Sequence, residues 1–263
     1  MTLRSRAKHV AESVLPLGAY AWLRSRVGDG EYSPPARRVR FGDLRRLTPI
    51  SRRWGKDRGG TPIDRYYMER FLGAHAADIR GRVLEVGDDS YTRRFGGEAV
   101  DRRDVLHVVP GNPAATIVAD LAQGDAIPTA AFDCVILTQV LQFLIDPQAA
   151  VRTVRRILKP GGVVLATVAG ISQISRWDMK RWGEYWRFTT CSAERLFAVA
   201  FPPDHLSVEA HGNVLSAIAF LHGLAAEELR PSELDYRDAD YEMLITVRAR
   251  KPESAEGERG GAP

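Results

Sequence analysis

Residues Val83-Leu84-Glu85-Val86-Gly87 form an aliphatic run that ends in an acid and then a glycine, and Asp88 and Asp89 follow at once. This order predicts the first βα turn of a nucleoside-binding sheet. The strand buries its side chains, Gly87 turns the backbone where a Cβ would obstruct a ligand, and Asp89 or Ser90 caps the next helix. A dinucleotide enzyme completes G-x-G-x-x-G so that a pyrophosphate rests on the helix N-terminus. Here two carboxylates stand in that space. They repel a pyrophosphate and suit a cationic or zwitterionic nucleoside. With no Tyr-x-x-x-Lys pair in the chain, an NAD-dependent oxidoreductase is disfavoured.

The rest of the chain alternates strand and helix. Short, nearly continuous apolar runs at 104–108, 116–121, 132–137 and 163–168 read as parallel central strands. Between the last two, 147–158 places Ala150, Val151, Val154, Ile157 and Leu158 at helical spacing and stops at Lys159-Pro160-Gly161-Gly162. Beyond them the pattern predicts a helix over 192–200, a strand over 206–211, a helix over 214–229 and a closing strand over 242–249.

Taken in order, Val83 to Gly87, Asp120-Leu121, Phe132-Asp133 and Leu158-Lys159-Pro160-Gly161-Gly162 resemble the class I S-adenosylmethionine (SAM)-dependent methyltransferases, near the type 11 methyltransferase domain. The resemblance implies an α/β fold, a doubly wound, Rossmann-like sheet of seven strands with the last strand inserted antiparallel beside strand five, and SAM as cofactor. By position it assigns the methionine part of SAM to Glu85, Val86, Gly87 and Asp88, and adenine to Asp120 with Leu121. Gln139, in the strand-four motif Thr138-Gln139-Val140-Leu141-Gln142, lines the cofactor from the other side. The family's ribose acid is replaced by His107, which leaves the hydroxyls to that imidazole or, in another register, to Asp104.

Two dense stretches flank this frame. Thr61 as N-cap and Pro62 in the first turn predict a helix that leads into strand one and carries Asp64, Arg65, Tyr66 and Tyr67. In the family such a helix closes over the SAM carboxylate, which singles out Arg58 and Tyr66 for the cofactor and Tyr67 for the acceptor. After strand five, Trp177, Trp182, Tyr185 and Trp186 fall within ten residues, where the loop opens onto the acceptor pocket. Trp182, Tyr185 and Trp186 are expected to stack a sugar face while Arg187 and Glu184 fix its hydroxyls, with Asn213 a further substrate-binding residue; the competing reading is a lid packed over the cofactor. The stretch resembles loops of methyltransferases acting on glycans and glycosylated natural products. The expected reaction is O-methylation of a saccharide or glycosylated small molecule, with His211, Glu184 or Asp178 as the base. An amine acceptor would react as its free base, and a noncatalytic SAM-binding protein is the remaining alternative.

Charge divides the chain. Residues 1–60 hold 14 Lys and Arg against 5 Asp and Glu, while the whole chain is only +4, so the remainder is net acidic. The expected organisation is a basic helical extension over 1–60, the methyltransferase domain over 61–250 and a disordered tail over 251–263. A helix over 7–27 fits a packed or partner-facing element, then an interfacial helix giving peripheral membrane contact; a nucleic-acid arm is disfavoured because no RNA-binding motif accompanies it. No apolar run reaches the roughly 20 residues of a membrane span and no signal-peptide core is present, which predicts a cytoplasmic protein. Two cysteines make no disulfide scaffold and the six histidines show no metal-ligand spacing.

Overall fold

A computed structural model describes residues 39–253. The expected helix over 7–27 and nearly all of the tail expected over 251–263 lie outside the described residues. The chain forms two compact units, Met1–Thr48 and Pro49–Pro263. In the first, residues 39–48 hold one exposed 3-10 turn, Gly42–Leu44.

The second unit is built on seven strands: β1 Gly81–Val86, β2 Val100–His107, β3 Ile117–Val118, β4 Phe132–Thr138, β5 Leu158–Ala169, β6 Leu206–His211 and β7 Leu244–Arg250. Their order is β3-β2-β1-β4-β5-β7-β6. β1 to β5 pair in parallel, whereas β7 runs antiparallel to both β5 and β6, as expected. The carboxyl ends of β1, β2, β4 and β5 therefore share one edge, with the order reversing between β1 and β4. In such sheets that edge is where ligands bind.

The strand period of two sorts side chains between two helical layers. Leu84, Val135, Leu137, Val164 and Ala166 face α2 (Pro147–Ile157), packing on Ala150, Val151, Val154 and Ile157. Val83, Cys134, Ile136 and Leu165 face the other layer, where α1 (Ile63–Ala74) supplies Ile63, Tyr67, Met68, Phe71 and Leu72. Each such aliphatic side chain contributes about 1.5–3 kcal/mol by burial. The short helices α3 (Arg176–Met179) and α4 (Thr190–Phe197) follow β5, and α5 (Val214–His222) and α6 (Pro231–Asp235) lie between β6 and β7.

Three local expectations change for physical reasons. Thr61 does not cap α1: its amide donates to Glu227 and its carbonyl accepts from Ala226, so Pro62 is the cap residue. The helix after β1 is one turn from Ser90 that widens into a π-turn, Thr92–Gly96, because the buried Glu85 carboxylate holds the Tyr91 and Thr92 amides (3.2 and 2.8 Å) and the Thr92 hydroxyl (2.7 Å). The helix expected over 214–229 stops at His222. Gly223 adopts φ +72°, and a Cβ there would lie 2.2 Å from the Ser51 carbonyl oxygen.

Candidate active site

Gly87 has φ +91°, and no atom lies within 4 Å of the position a Cβ would take. This open cradle fits the methionine part of SAM and would be filled by any larger residue. The Gly87 amide donates to Leu106 O (3.0 Å), and its carbonyl accepts from Asn112 Nδ2 (2.6 Å). Asn112, in the loop after β2, thus fixes the turn from above. Val86 packs on the core, and Glu85 braces the helical turn from below, its carboxyl pushed above the ordinary range by burial. Asp88 accepts from the Ser90 amide (2.8 Å), while Asp89 is paired with Arg93 and Arg103 (2.8 and 3.4 Å). The two acids are therefore unequal, and Asp88 is the one whose charge belongs to the turn.

On the nucleoside side, β2 ends at His107. Asp104 is buried and held by Arg82, Arg102 and Thr116, which outweigh its burial and keep its carboxyl below the ordinary range. That network removes Asp104 as an alternative to His107. The Nδ1 atom of His107 lies 2.7 Å from Val109 O, and its ring meets Trp182 edge to face, centroids 5.9 Å apart. Asp120 accepts from the Ala122 amide (2.8 Å), and its carbonyl accepts from Gln123 and Gly124, which sets a tight turn over the buried Leu121.

A cavity of about 230 Å³ opens at the carboxyl ends of β4 and β5. Asp64, Arg65 and Met68 of α1 form one wall, Tyr91 the floor toward β1, Gln139 and Gln142 the β4 side, and Asp178 and Glu184 the loop after β5. Arg65 donates to the Tyr91 hydroxyl (3.0 Å). Burial raises the Asp64 carboxyl above its usual range, against the nearby Arg65 and Lys56 charges. Gln142 Nε2 donates to Gln139 Oε1 (2.7 Å), and the buried Gln142 Oε1 has no hydrogen-bond partner. An unmet buried acceptor costs about 1–3 kcal/mol, so a ligand donor reaching it would be favoured. Trp54 and Gln139, both lining the cavity, hold φ of +55° and +57°, the kind of backbone strain that clusters at functional sites.

The structure brings Gln139, Asp178 and Glu184 to the cavity and sends other expected residues elsewhere. Glu184 accepts from the Ser175 amide (2.8 Å) and pairs with Arg187 (2.5 Å); Asp178 accepts from the Ser175 hydroxyl (2.5 Å). Arg58 is held by Glu228 in a two-pronged ion pair. The Tyr66 hydroxyl donates to Asp235 (2.7 Å), and that of the buried Tyr67 donates to Leu234 O (2.8 Å). Asn213 is the N-cap of α5, with its amide nitrogen spent on Glu233 O and Tyr236 O. These four side chains are structural ties, and none lines the cavity. Trp186 donates to Leu144 O (2.8 Å) at the surface, the Tyr185 amide donates to Gln142 O, and neither ring reaches the cavity, nor do Trp182 and Arg187.

His211 is also displaced. It pairs in register with Leu244, which pairs with Ala169, placing it two strands, or about 10 Å, from the end of β5. It stacks on Tyr67 and faces Thr246 Oγ1 (3.0 Å), and burial lowers its pKa to about 4. Such an imidazole is a weak base in the wrong place. Asp64 was the missed carboxylate. Its signal lay in the helical period: Ile63, Tyr67, Met68, Phe71 and Leu72 define the core face of α1, which leaves Asp64 at the border of that face, in the first turn by the sheet end.

Residues 77–166 match the family described as "Methyltransferase domain". The match spans about a third of the chain, and the strand order and the Glu85–Gly87 turn accompany it as expected of a SAM-dependent methyltransferase. Among curated proteins none matches the chain. Among solved structures it is similar to the N-methyltransferase NodS from Bradyrhizobium japonicum WM9 in complex with S-adenosyl-L-homocysteine (18% identity, 78% of this chain and 95% of that one, TM-score 0.46). It is similar also to a SAM-dependent methyltransferase from Archaeoglobus fulgidus (11%, 71% and 94%, 0.48) and to the [4+2]-cyclase SpnF (18%, 71% and 82%, 0.48). Among the described residues no group of His, Cys, Asp or Glu is arranged to hold a metal ion, and no helix is long and apolar enough to cross a membrane.

Proposed function

We propose that the protein methylates a hydroxyl of a saccharide or glycosylated small molecule, seated in the cavity between α1, the end of β4 and the loop after β5. The observation that carries this reading is the lining itself: Asp64, Asp178, Glu184, Gln139 and Gln142 converge on about 230 Å³ at the carboxyl ends of β4 and β5. That volume lies below the ~300–1,000 Å³ of sites for drug-sized ligands, which suits one sugar ring with the remainder of the acceptor outside. A ring with several hydroxyls meets the amides and carboxylates together.

SAM supplies an electrophilic methyl group. The chain's part is to align the acceptor oxygen for in-line attack and to take its proton. Asp64 is the residue for the second task, because its raised pKa makes it a stronger base than an ordinary carboxylate. Gln139 and Gln142 orient the acceptor, and the Glu184–Arg187 pair holds the loop that carries Asp178.

The test is transfer from radiolabelled SAM to a panel of glycosides, their aglycones and matched amines. Glycosides are expected to be methylated, and Asp64→Asn to lower kcat/KM by about 100-fold, within the usual range for a general base, while SAM affinity stays unchanged. Methylation of amines alone, at a rate indifferent to Asp64→Asn, would replace this reading with N-methylation.

A further inference from the structure

We infer that the outer face of α5 is a docking surface for an anionic lipid bilayer. The helix, Val214-Leu215-Ser216-Ala217-Ile218-Ala219-Phe220-Leu221-His222, contains no acid, lysine or arginine. Its buried side, Ser216, Ala217, Ala219 and Phe220, faces the core. The opposite side is apolar as well: Val214, Leu215, Ile218 and Leu221 are each 39–45% exposed. At ~100° per residue these four fall within one arc of about 120°. Single exposed aliphatics are ordinary, whereas a contiguous stripe of them marks an interaction surface.

Charge beside the stripe selects the occupant. The Ser51 amide donates to His222 O (3.0 Å), so the segment that begins there runs along the end of α5, and its next two residues, Arg52 and Arg53, are exposed. The acids near that end are engaged: Asp57 accepts from the Ser51 hydroxyl, Glu228 is paired with Arg58, and Glu227 accepts from the Thr61 amide. At the other end Asn213 holds the carbonyl of Tyr236, whose side chain is 64% exposed. Aliphatic side chains with an aromatic at one end and arginines at the other match the acyl boundary and anionic headgroups of a bilayer. Trp54 and Lys56, on the segment that carries the two arginines, line the acceptor cavity, so seating α5 on lipid places that cavity close to the membrane surface.

The experiment is cosedimentation of the full chain with vesicles of phosphatidylcholine, with and without phosphatidylserine. The native protein is expected to partition onto the phosphatidylserine vesicles, and the Leu215→Glu/Ile218→Glu double variant to lose at least about tenfold of that partition. Arg52→Ala/Arg53→Ala should lose several-fold, with the remainder falling as salt rises. Unchanged SAM affinity in both variants shows that they are folded, and vesicle binding is read without turnover, so it stands or falls apart from the choice of acceptor. Partition undiminished by the two glutamates, or no partition of the native protein, overturns the proposal. So does a dimer of the native chain that the same substitutions dissociate, which would assign the face to a second copy.

Discussion

Trp182 meets His107 edge to face, with ring centroids 5.9 Å apart, and thereby ties the loop after β5 to the last residue of β2. The contact crosses the carboxyl edge of the sheet over the side expected to take the nucleoside. It favours the reading of the aromatic stretch as a cover. An aromatic pair of this kind contributes ~0.5–1.5 kcal/mol beyond burial. Trp182→Ala is therefore expected to weaken SAM about fivefold by calorimetry. Trp186→Ala, which removes a surface bond to Leu144 O, should leave SAM affinity within about twofold. No loss at Trp182, or equal losses at both, would show that the stretch does not cover the cofactor through His107.

Gly87 supplies a sharper test of where SAM lies. Its φ of +91° strains any other residue, and the open space above it would be filled by a branched side chain. Gly87→Val is expected to cost at least ~2 kcal/mol of SAM binding. A folded variant with native affinity would remove the turn from the site.

The frame of this site was legible in the sequence because it rests on local chemistry. The run 83–87 and the apolar periods fix β1, β4 and α2 to within about two residues, whereas β5 starts at Leu158 and takes in the expected stop at Pro160-Gly161-Gly162. Side-chain destinations were less legible, since they depend on partners far along the chain. Arg58 looks available until Glu228 arrives 170 residues later, and Tyr67 until Leu234 does. His211 sits at a strand end on the ligand side, as expected, but the order β5-β7-β6 moves that end two strands from the cavity. Asn213 reads as a substrate-binding residue, and the Ser216 amide that it accepts from makes it the cap of α5. Asp64 needed only the helical period of α1.

Asp64 also sets a pH dependence. Burial raises its pKa above the ordinary carboxylate range, so the acid limb of kcat/KM is expected at a higher pH than an unperturbed aspartate near ~3.9 would give. Activity should rise with pH as Asp64 loses its proton. In Asp64→Asn the residual rate should lose that limb, while the SAM dissociation constant stays flat across the same range. A limb that survives in the variant would assign the base to another group, with Asp178 the next to test.

His211 bears on stability rather than on the reaction. Burial lowers its pKa to about 4 in the folded protein, whereas an unfolded histidine titrates near ~6.5. Between those values the unfolded chain binds more protons, so stability rises with pH across the window and is lost as pH falls through it. From pH 7 to pH 5 the loss from this one residue is expected to be ~2 kcal/mol. His211→Gln keeps a hydrogen-bonding group facing Thr246 Oγ1 and removes the titration. Urea unfolding of both proteins at the two pH values isolates the effect, because the carboxylates that also titrate are common to both. The variant should lose ~2 kcal/mol less than the native chain, and equal losses would mean that His211 is protonated in the folded protein as readily as in the unfolded one.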